Sequence, residues 1–267
     1  MRKIKFSIIT VTLNAEKELP ITIKSILEQT YSCFEVIIKD GMSKDKTLEL
    51  IPIDERFSVV SKEDKSVYDG MNQAIEEATG DFVIFMNAGD VFYNSEVLKD
   101  IVTYIECNNI SDPCVLYGNY CRSGEYVQNQ KQKLDDFLLY RRPLCHQSMI
   151  YHKELFNTYG TYNTEYKISA DHDLTLRLWF KKIQFYHTGL VICQYVGGGI
   201  SETEKGITLA REEKKKILKS CYSPTTRFRY NFIIAMSFSG FRAWLDSKNS
   251  PAVLRNAYRG LRNRLLK

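Results

Sequence analysis

With 267 residues, 44% of them apolar and 26% charged, the chain has the makeup of a soluble globular protein: one large domain, or one domain with an appendage. The net charge of +5 hides an asymmetry, since residues 1–204 hold 22 Lys and Arg against 29 Asp and Glu (net −7) while residues 205–267 hold 15 against 3 (net +12). No window reaches the ~18 uncharged apolar residues of a spanning helix, and seven cysteines, odd in number and without a C-x-x-C pair, argue against a disulfide framework or a zinc site and for a reducing compartment.

The N-terminal run MRKIKFSIITVTLNAE sets basic residues ahead of a short apolar stretch, as a signal peptide does. Ser and Thr interrupt that stretch and Asn14-Ala15-Glu16 is a poor cleavage site, so Phe6–Leu13 reads as a buried first strand. Glu16–Gln29 follows as a helix with Leu19, Ile23, Ile26 and Leu27 on its inner face. Phe34–Lys39 is a second strand, Ser43 opens a short helix through Leu50, and Phe57–Ser61 is a third strand. Ser66 caps a helix running to Ala78, Gly80 stops it, and Phe82–Met86 is the fourth strand. Continuous apolar strands alternating with helices predict a parallel sheet covered on both faces, which binds ligands beyond the carboxyl ends of its strands. Asn14, Asp40, Lys62–Asp64 and Asn87–Asp90 all follow those four ends. From residue 114 the strands shorten (Val115–Tyr117, Ser148–Tyr151, Gln184–His187, Val191–Tyr195), predicting a mixed sheet that extends the first half and forms the acceptor side of a cleft.

The segment DFVIFMNAGD at 81–90 is a buried strand that hands a carboxylate to its C-terminal tip. Such a carboxylate suits a divalent cation held against a phosphate, because Mg²⁺ takes one or two carboxylates plus substrate phosphate oxygens. Asp90 is the predicted ligand for Mg²⁺ or Mn²⁺, with Asn87 beside it; a helix N-cap cluster ahead of Asn94-Ser95 is the plainer alternative.

FSIITVTLNAE, DGMSKDKT at 40–47, EDKSVYDGMNQAIEEATGD at 63–81 and IFMNAGD at 84–90 together resemble the family 2 glycosyltransferases with a GT-A fold, in order and in spacing. HQSMIYHKELF at 146–156 and SADHDLTLRL at 169–178 look like that family's acceptor-side and catalytic-base segments, and the likeness is closest to members that build bacterial surface polysaccharides. The resemblance implies a Rossmann-like α/β fold: a mostly parallel sheet flanked by helices, with a C-terminal helical extension. Residues 1–204 would be the GT-A domain (1–112 the nucleotide-sugar half, 113–204 the acceptor half) and residues 205–267 a basic amphipathic tail.

It further implies that Thr12, Asn14 and Glu16 hold base and ribose, that Asp40 accepts the uracil N–H, and that Asp64, Asp69 and Asn72 grip ribose or donor hydroxyls. Asn87 would bond the ribose or a metal-bound water, and His146 and Gln147 an acceptor sugar or a diphosphate. Asp171 would be the general base that takes the acceptor hydroxyl's proton as it attacks the anomeric carbon. Asp173, two positions on, points elsewhere and sits at ion-pair spacing from Arg177. Simpler roles stay open: Asn14, Glu16 and Asp171 as helix caps, Asp40 as an Asp-Gly turn, Asp69 and Asn72 as a surface face, His146 as structural. One departure is Gly89, where many relatives carry an acidic residue; one carboxylate is left instead of two.

The tail contains TRFRYNFIIAMSFSGFRAWL at 226–245 and a stripe of Leu254, Tyr258, Leu261 and Leu265 flanked by Arg255, Arg259 and Arg262. It suits either an anionic leaflet or packing on the domain; nucleic acid is not the expected partner, since no nucleic-acid module is present. The resulting expectation is an inverting, metal-dependent transferase, in the cytoplasm or peripheral on the inner face of the cell membrane. It would move a hexosyl or N-acetylhexosaminyl group from a nucleoside-diphosphate sugar, UDP first, to a growing lipid-linked glycan. A nucleotidyltransferase would need a Gly-rich phosphate loop that TLNAEKE lacks; a nucleotide-sugar-binding module without transfer stays open because of Gly89.

Overall fold

The computed structural model describes residues 3–122, 126–195, 197 and 199–236. Four apolar runs become strands β1 (Phe6–Thr12), β2 (Phe34–Asp40), β3 (Phe57–Ser61) and β4 (Phe82–Phe85), all parallel, in the order β3-β2-β1-β4. Helix α1 (Leu19–Leu27) links β1 to β2, and α2 (Val67–Glu77) links β3 to β4. Alternate strand residues serve opposite faces: Phe6, Ile8, Val36, Ile38 and Ile84 join one core with Leu19, Ile23 and Ile26 of α1. All four parallel strands point their carboxyl ends to one edge of the sheet, as the sequence predicts.

The second half adds β5 (Val91–Phe92), α3 (Val97–Cys107), β6 (Cys114–Arg122), β7 (Tyr126–Gln128), α4 (Asp136–Arg141), β8 (Met149–His152), α5 (Glu154–Tyr159), α6 (Ala170–Phe180) and β9 (Gln184–Tyr195). The sheet continues from β4 through antiparallel β8 to β6, β9 and β5, with β7 on β6. The two strands expected at 184–187 and 191–195 are one. The break in pattern is a register shift against Tyr117–Tyr120, where Gly189 turns at φ +78°.

Three local expectations need correction. The first helix starts at Leu19, with Pro20 in its first turn, and residues 13–17 are loop because Asn14 is left-handed at φ +48°. Leu27 is 39% exposed and Thr22 takes the inner position instead. The helix expected from Ser43 is only a 3-10 turn, Thr47–Leu50, because the preceding amides are turned toward Asp40.

Residues 1–214 form one compact unit, which runs past residue 204 into helix α7 (Glu204–Cys221); residues 215–267 form the second. Within the second, α8 (Pro224–Met236) stacks Tyr230 edge-on against Tyr222 and leaves Phe228 75% exposed. The stripe from Leu254 to Leu265 and the part of the aromatic segment beyond Met236 lie outside the described residues. No described helix is long and apolar enough to cross a membrane.

Candidate active site

The loops after β1 and β2 interlock. Asn14 N–H donates to Ser43 Oγ (2.8 Å) and Asn14 Oδ1 accepts from Lys44 N–H (2.8 Å). Glu16 likewise exchanges bonds with the loop, its N–H to Asp45 Oδ2 and its Oε2 from Lys46 N–H, both 3.2 Å. Neither residue caps α1. Asp40 is fully buried; its Oδ2 accepts from Met42 N–H, Ser43 N–H and Ser61 Oγ (3.0, 3.0 and 2.9 Å), while Oδ1 has only a 3.3 Å bond from Ser43 N–H. Asp40 thus shapes the turn and keeps acceptor capacity on Oδ1. Thr12 is buried beside it in the ladder, with its hydroxyl unpartnered among the described residues.

After β3, Asp64 pairs with Lys39 Nζ at 2.8 Å, and that ammonium, 0% exposed, also donates to the carbonyls of Asp40 and Lys62. A Cβ placed on Gly41 would stand 3.0 Å from Asp64 Oδ2, and one on Gly70 3.3 Å from it, so Asp64 fills the gap between the β2 loop and α2. Asp69 turns inward to its own helix. Ser66 Oγ accepts from Asp69 N–H and Asp69 Oδ2 accepts from Lys65 N–H, so Asp69 takes part in capping α2. Asn72 spends both ends of its amide on the backbone of Tyr162, at 2.8 and 3.0 Å, which joins α2 to the loop before α6.

The β4 tip is organised by a residue that the sequence reading placed nowhere. Thr22 Oγ1 donates to the Asp90 carbonyl at 2.8 Å and accepts from Gly89 N–H at 2.9 Å. A polar residue on an otherwise apolar helix face was the available signal. Gly89 sits at φ +97°, a region that side chains other than glycine avoid. Asp90 is 8% exposed, and burial pushes its carboxyl up to about 7, with only the Asn87 backbone N–H opposing. Asn87 Oδ1 is buried without a partner among the described residues. Among the described residues no group of three or more His, Cys, Asp or Glu is arranged to hold a metal. Two neighbouring oxygen donors, one an uncompensated carboxylate, nevertheless fit a hard cation that completes its shell from a ligand.

Asp171 opens α6. Its Oδ1 accepts from His172 N–H at 2.8 Å and from the Tyr68 hydroxyl at 3.3 Å, and burial raises its carboxyl to about 6 against those bonds. A carboxylate with that proton affinity is mostly ionised at neutrality, yet basic enough to be suited to taking a proton. Asp173 forms the expected pair with Arg177 (2.9 Å), whose guanidinium also holds the carbonyls of Tyr159 and Thr161. His146 has a buried, unpartnered Nε2, and burial lowers its imidazole to about 4, so it is neutral. Gln147 Oε1 accepts from Cys145 Sγ. Glu213, unnoticed in the sequence, accepts three backbone N–H groups just ahead of Asp171.

A curled mixed sheet with four parallel strand tips at one edge, and a carboxylate-bearing helix brought to that edge, is the GT-A arrangement of a glycosyltransferase. The profile of Glycosyl transferase family 2 matches residues 7–167, and the chain belongs to that family. A PGL/p-HBAD biosynthesis glycosyltransferase of Mycobacterium tuberculosis is 35% identical over 208 residues, covering 74% of this chain and 79% of that one. Staphylococcus aureus TarS residues 1–349 in complex with UDP-GlcNAc superpose with a TM-score of 0.65 at 21% identity, over 85% of this chain and 70% of that one. A fuller TarS structure is covered to 46% of its length. A Pyrobaculum calidifontis mannosyltransferase with GDP-Man and Mn²⁺ gives a TM-score of 0.56 at 12% identity, covering 91% of this chain and 83% of that one.

Proposed function

We propose that this glycosyltransferase inverts the anomeric centre of a nucleoside-diphosphate sugar, UDP first, in transferring the sugar to a hydroxyl of a lipid-linked surface glycan. The observation that carries the proposal is Asp171, a carboxylate with its proton affinity raised to about 6, reached by the Tyr68 hydroxyl from the first turn of the helix that follows β3. Inversion needs one base on the acceptor side and no covalent enzyme intermediate. Support for a nucleotide-sugar ligand comes from Thr12 Oγ1, Asn87 Oδ1 and His146 Nε2, three of the seven buried side-chain polar atoms without a partner among the described residues, since orphaned buried polar groups are rare in the absence of a ligand or water. Asp40 Oδ1 offers an acceptor for a base N–H, and the neighbouring TarS complexes hold UDP-GlcNAc and UDP.

Asp90 and Asn87 would hold Mg²⁺ or Mn²⁺, which when bound supplies charge to stabilise a departing diphosphate. The protein's own share is to bind the donor between the β1 and β2 loops, hold Asp171 ready and exclude water. The basic tail, with Arg227 and Arg229 beside the exposed Phe228 and Phe232, supports peripheral attachment to an anionic membrane face where a lipid-linked acceptor resides. The deciding experiment is Asp171→Asn: UDP-sugar binding by calorimetry should persist while transfer is lost, and an active Asn variant rejects the assignment.

A further inference from the structure

We infer that Glu213 is a positioning residue for Asp171: from outside the family-matching segment it clamps the turn that launches α6 and sets the charge beside the base. The inference rests on the reading of Asp171 given above. Glu213 lies in a lysine-rich stretch, REEKKK, yet is 3% exposed and pairs with none of those lysines. Its Oε1 accepts from Lys167 N–H at 2.6 Å, and its Oε2 accepts from Ile168 N–H at 3.0 Å and Ser169 N–H at 2.9 Å. Three successive amides aimed at one carboxylate form an anion-binding concavity, and the bonds to an ionised acceptor are the strong kind.

The clamp is two-sided. Ile168 offers its N–H to Glu213 and its carbonyl to the Tyr68 hydroxyl at 2.8 Å, and the same hydroxyl reaches Asp171 Oδ1 at 3.3 Å. Ser169, at the N-cap of α6, makes no side-chain cap of its own, so the lead-in to the helix is fixed by Glu213 from α7. A base held this way cannot swing with the loop, and small misplacements of a catalytic group are costly in rate.

The charge matters as well as the grip. The ionisable groups around Asp171 are Tyr68 of α2, Tyr151 of β8, Tyr162 of the loop before α6, and Glu213 of α7, with His172 and the Asp173–Arg177 pair on its own helix. The three phenols are raised above their ordinary value by burial and stay neutral near pH 7, and burial lowers the His172 imidazole to about 4. Glu213 is the neighbour whose negative charge helps Asp171 keep its proton, whereas the Tyr68 bond loosens it.

The test is Glu213→Gln in the full chain, which removes the charge and keeps the shape. Carboxyl carbon NMR of ¹³C-labelled aspartate, with Asp171 assigned by its loss in Asp171→Asn, should show the Asp171 midpoint lower by about half a pH unit. The acid limb of UDP release from a UDP-sugar with Mn²⁺ should move down by the same amount, with kcat reduced on the order of 10-fold. An unmoved NMR midpoint overturns the inference. If Glu213→Gln does not fold, Glu213→Asp keeps the charge but falls one methylene short; reduced kcat supports the clamp and wild-type kcat overturns it. Activity in Asp171→Asn would sink the base assignment separately, because the NMR midpoint still judges the coupling between the two carboxylates.

Discussion

The Tyr68 hydroxyl sits 3.3 Å from Asp171 Oδ1, although the two residues are 103 positions apart, and it makes its shorter bond, 2.8 Å, to the carbonyl of Ile168. One phenol therefore ties the helix after β3 to the helix that carries the proposed base.

The first prediction concerns the pH dependence of turnover. As the proposed base, Asp171 would act only when deprotonated, and burial raises its carboxyl to about 6, so kcat/KM should rise with pH through a midpoint near that value. In Asp171→Asn at saturating Mn²⁺ the rate should fall by roughly 10²–10⁴-fold, and the limb near pH 6 should disappear.

Tyr68→Phe tests the bond from the other side. The hydroxyl donates to the ionised form and so lowers the proton affinity of Asp171. Its removal should shift the acid limb upward, opposite to the effect of Glu213→Gln. Loss of the bond to Ile168 should cost about 1 kcal/mol of stability, read from urea denaturation.

Metal dependence should run through Asp90. Adding Mn²⁺ with UDP should raise the Tm of the wild type by ligand linkage and leave Asp90→Ala unmoved. Equal shifts in both proteins would remove Asp90 from the metal site. Gly89→Asp, which adds a second carboxylate beside Asp90, should lower stability by about 1 kcal/mol or more because of the φ of +97°.

A fourth prediction lies at the opposite edge of the sheet. Glu35 accepts from Lys5 Nζ, Ser7 Oγ, and Thr79 N–H and Oγ1, all at 2.6 Å, and these bonds outweigh burial to hold its carboxyl at about 2. A depressed folded value means stability that is present above the ordinary value of 4.5 and is lost as pH falls from there through about 2. Glu35→Gln should cost about 2 kcal/mol at pH 7 and much less at pH 2, measured by denaturant titration at both.

The parallel half was legible because its signals are local. Apolar runs, the Ser66 cap and polar residues at strand tips are written within a few positions of one another, and β3 and the α2 cap fall where the sequence put them. The capping share of Asp69 was not legible, because a capping carboxylate and a ligand-facing one have the same spacing; the 2.8 Å bond from Lys65 N–H reveals it. The partners of Thr22 and Glu213 were invisible for a different reason, although Thr22 itself stands out as a polar residue on an apolar helix face. Each acts on backbone atoms of a distant segment, 67 and 68 positions away for Thr22 and 44 to 46 for Glu213, and backbone atoms leave no trace in a residue pattern. The fused β9 was misread because Thr188 and Gly189 resemble a turn, whereas they shift the register inside one strand.

The family profile stops at residue 167, where the three amides clasped by Glu213 begin. A fragment excised at that boundary would discard Asp171 along with α6, and one ended at residue 204 would keep Asp171 but free its lead-in turn. Anyone designing a minimal active piece of this enzyme should carry the polypeptide through residue 214, or expect a protein that binds donor and turns it over poorly.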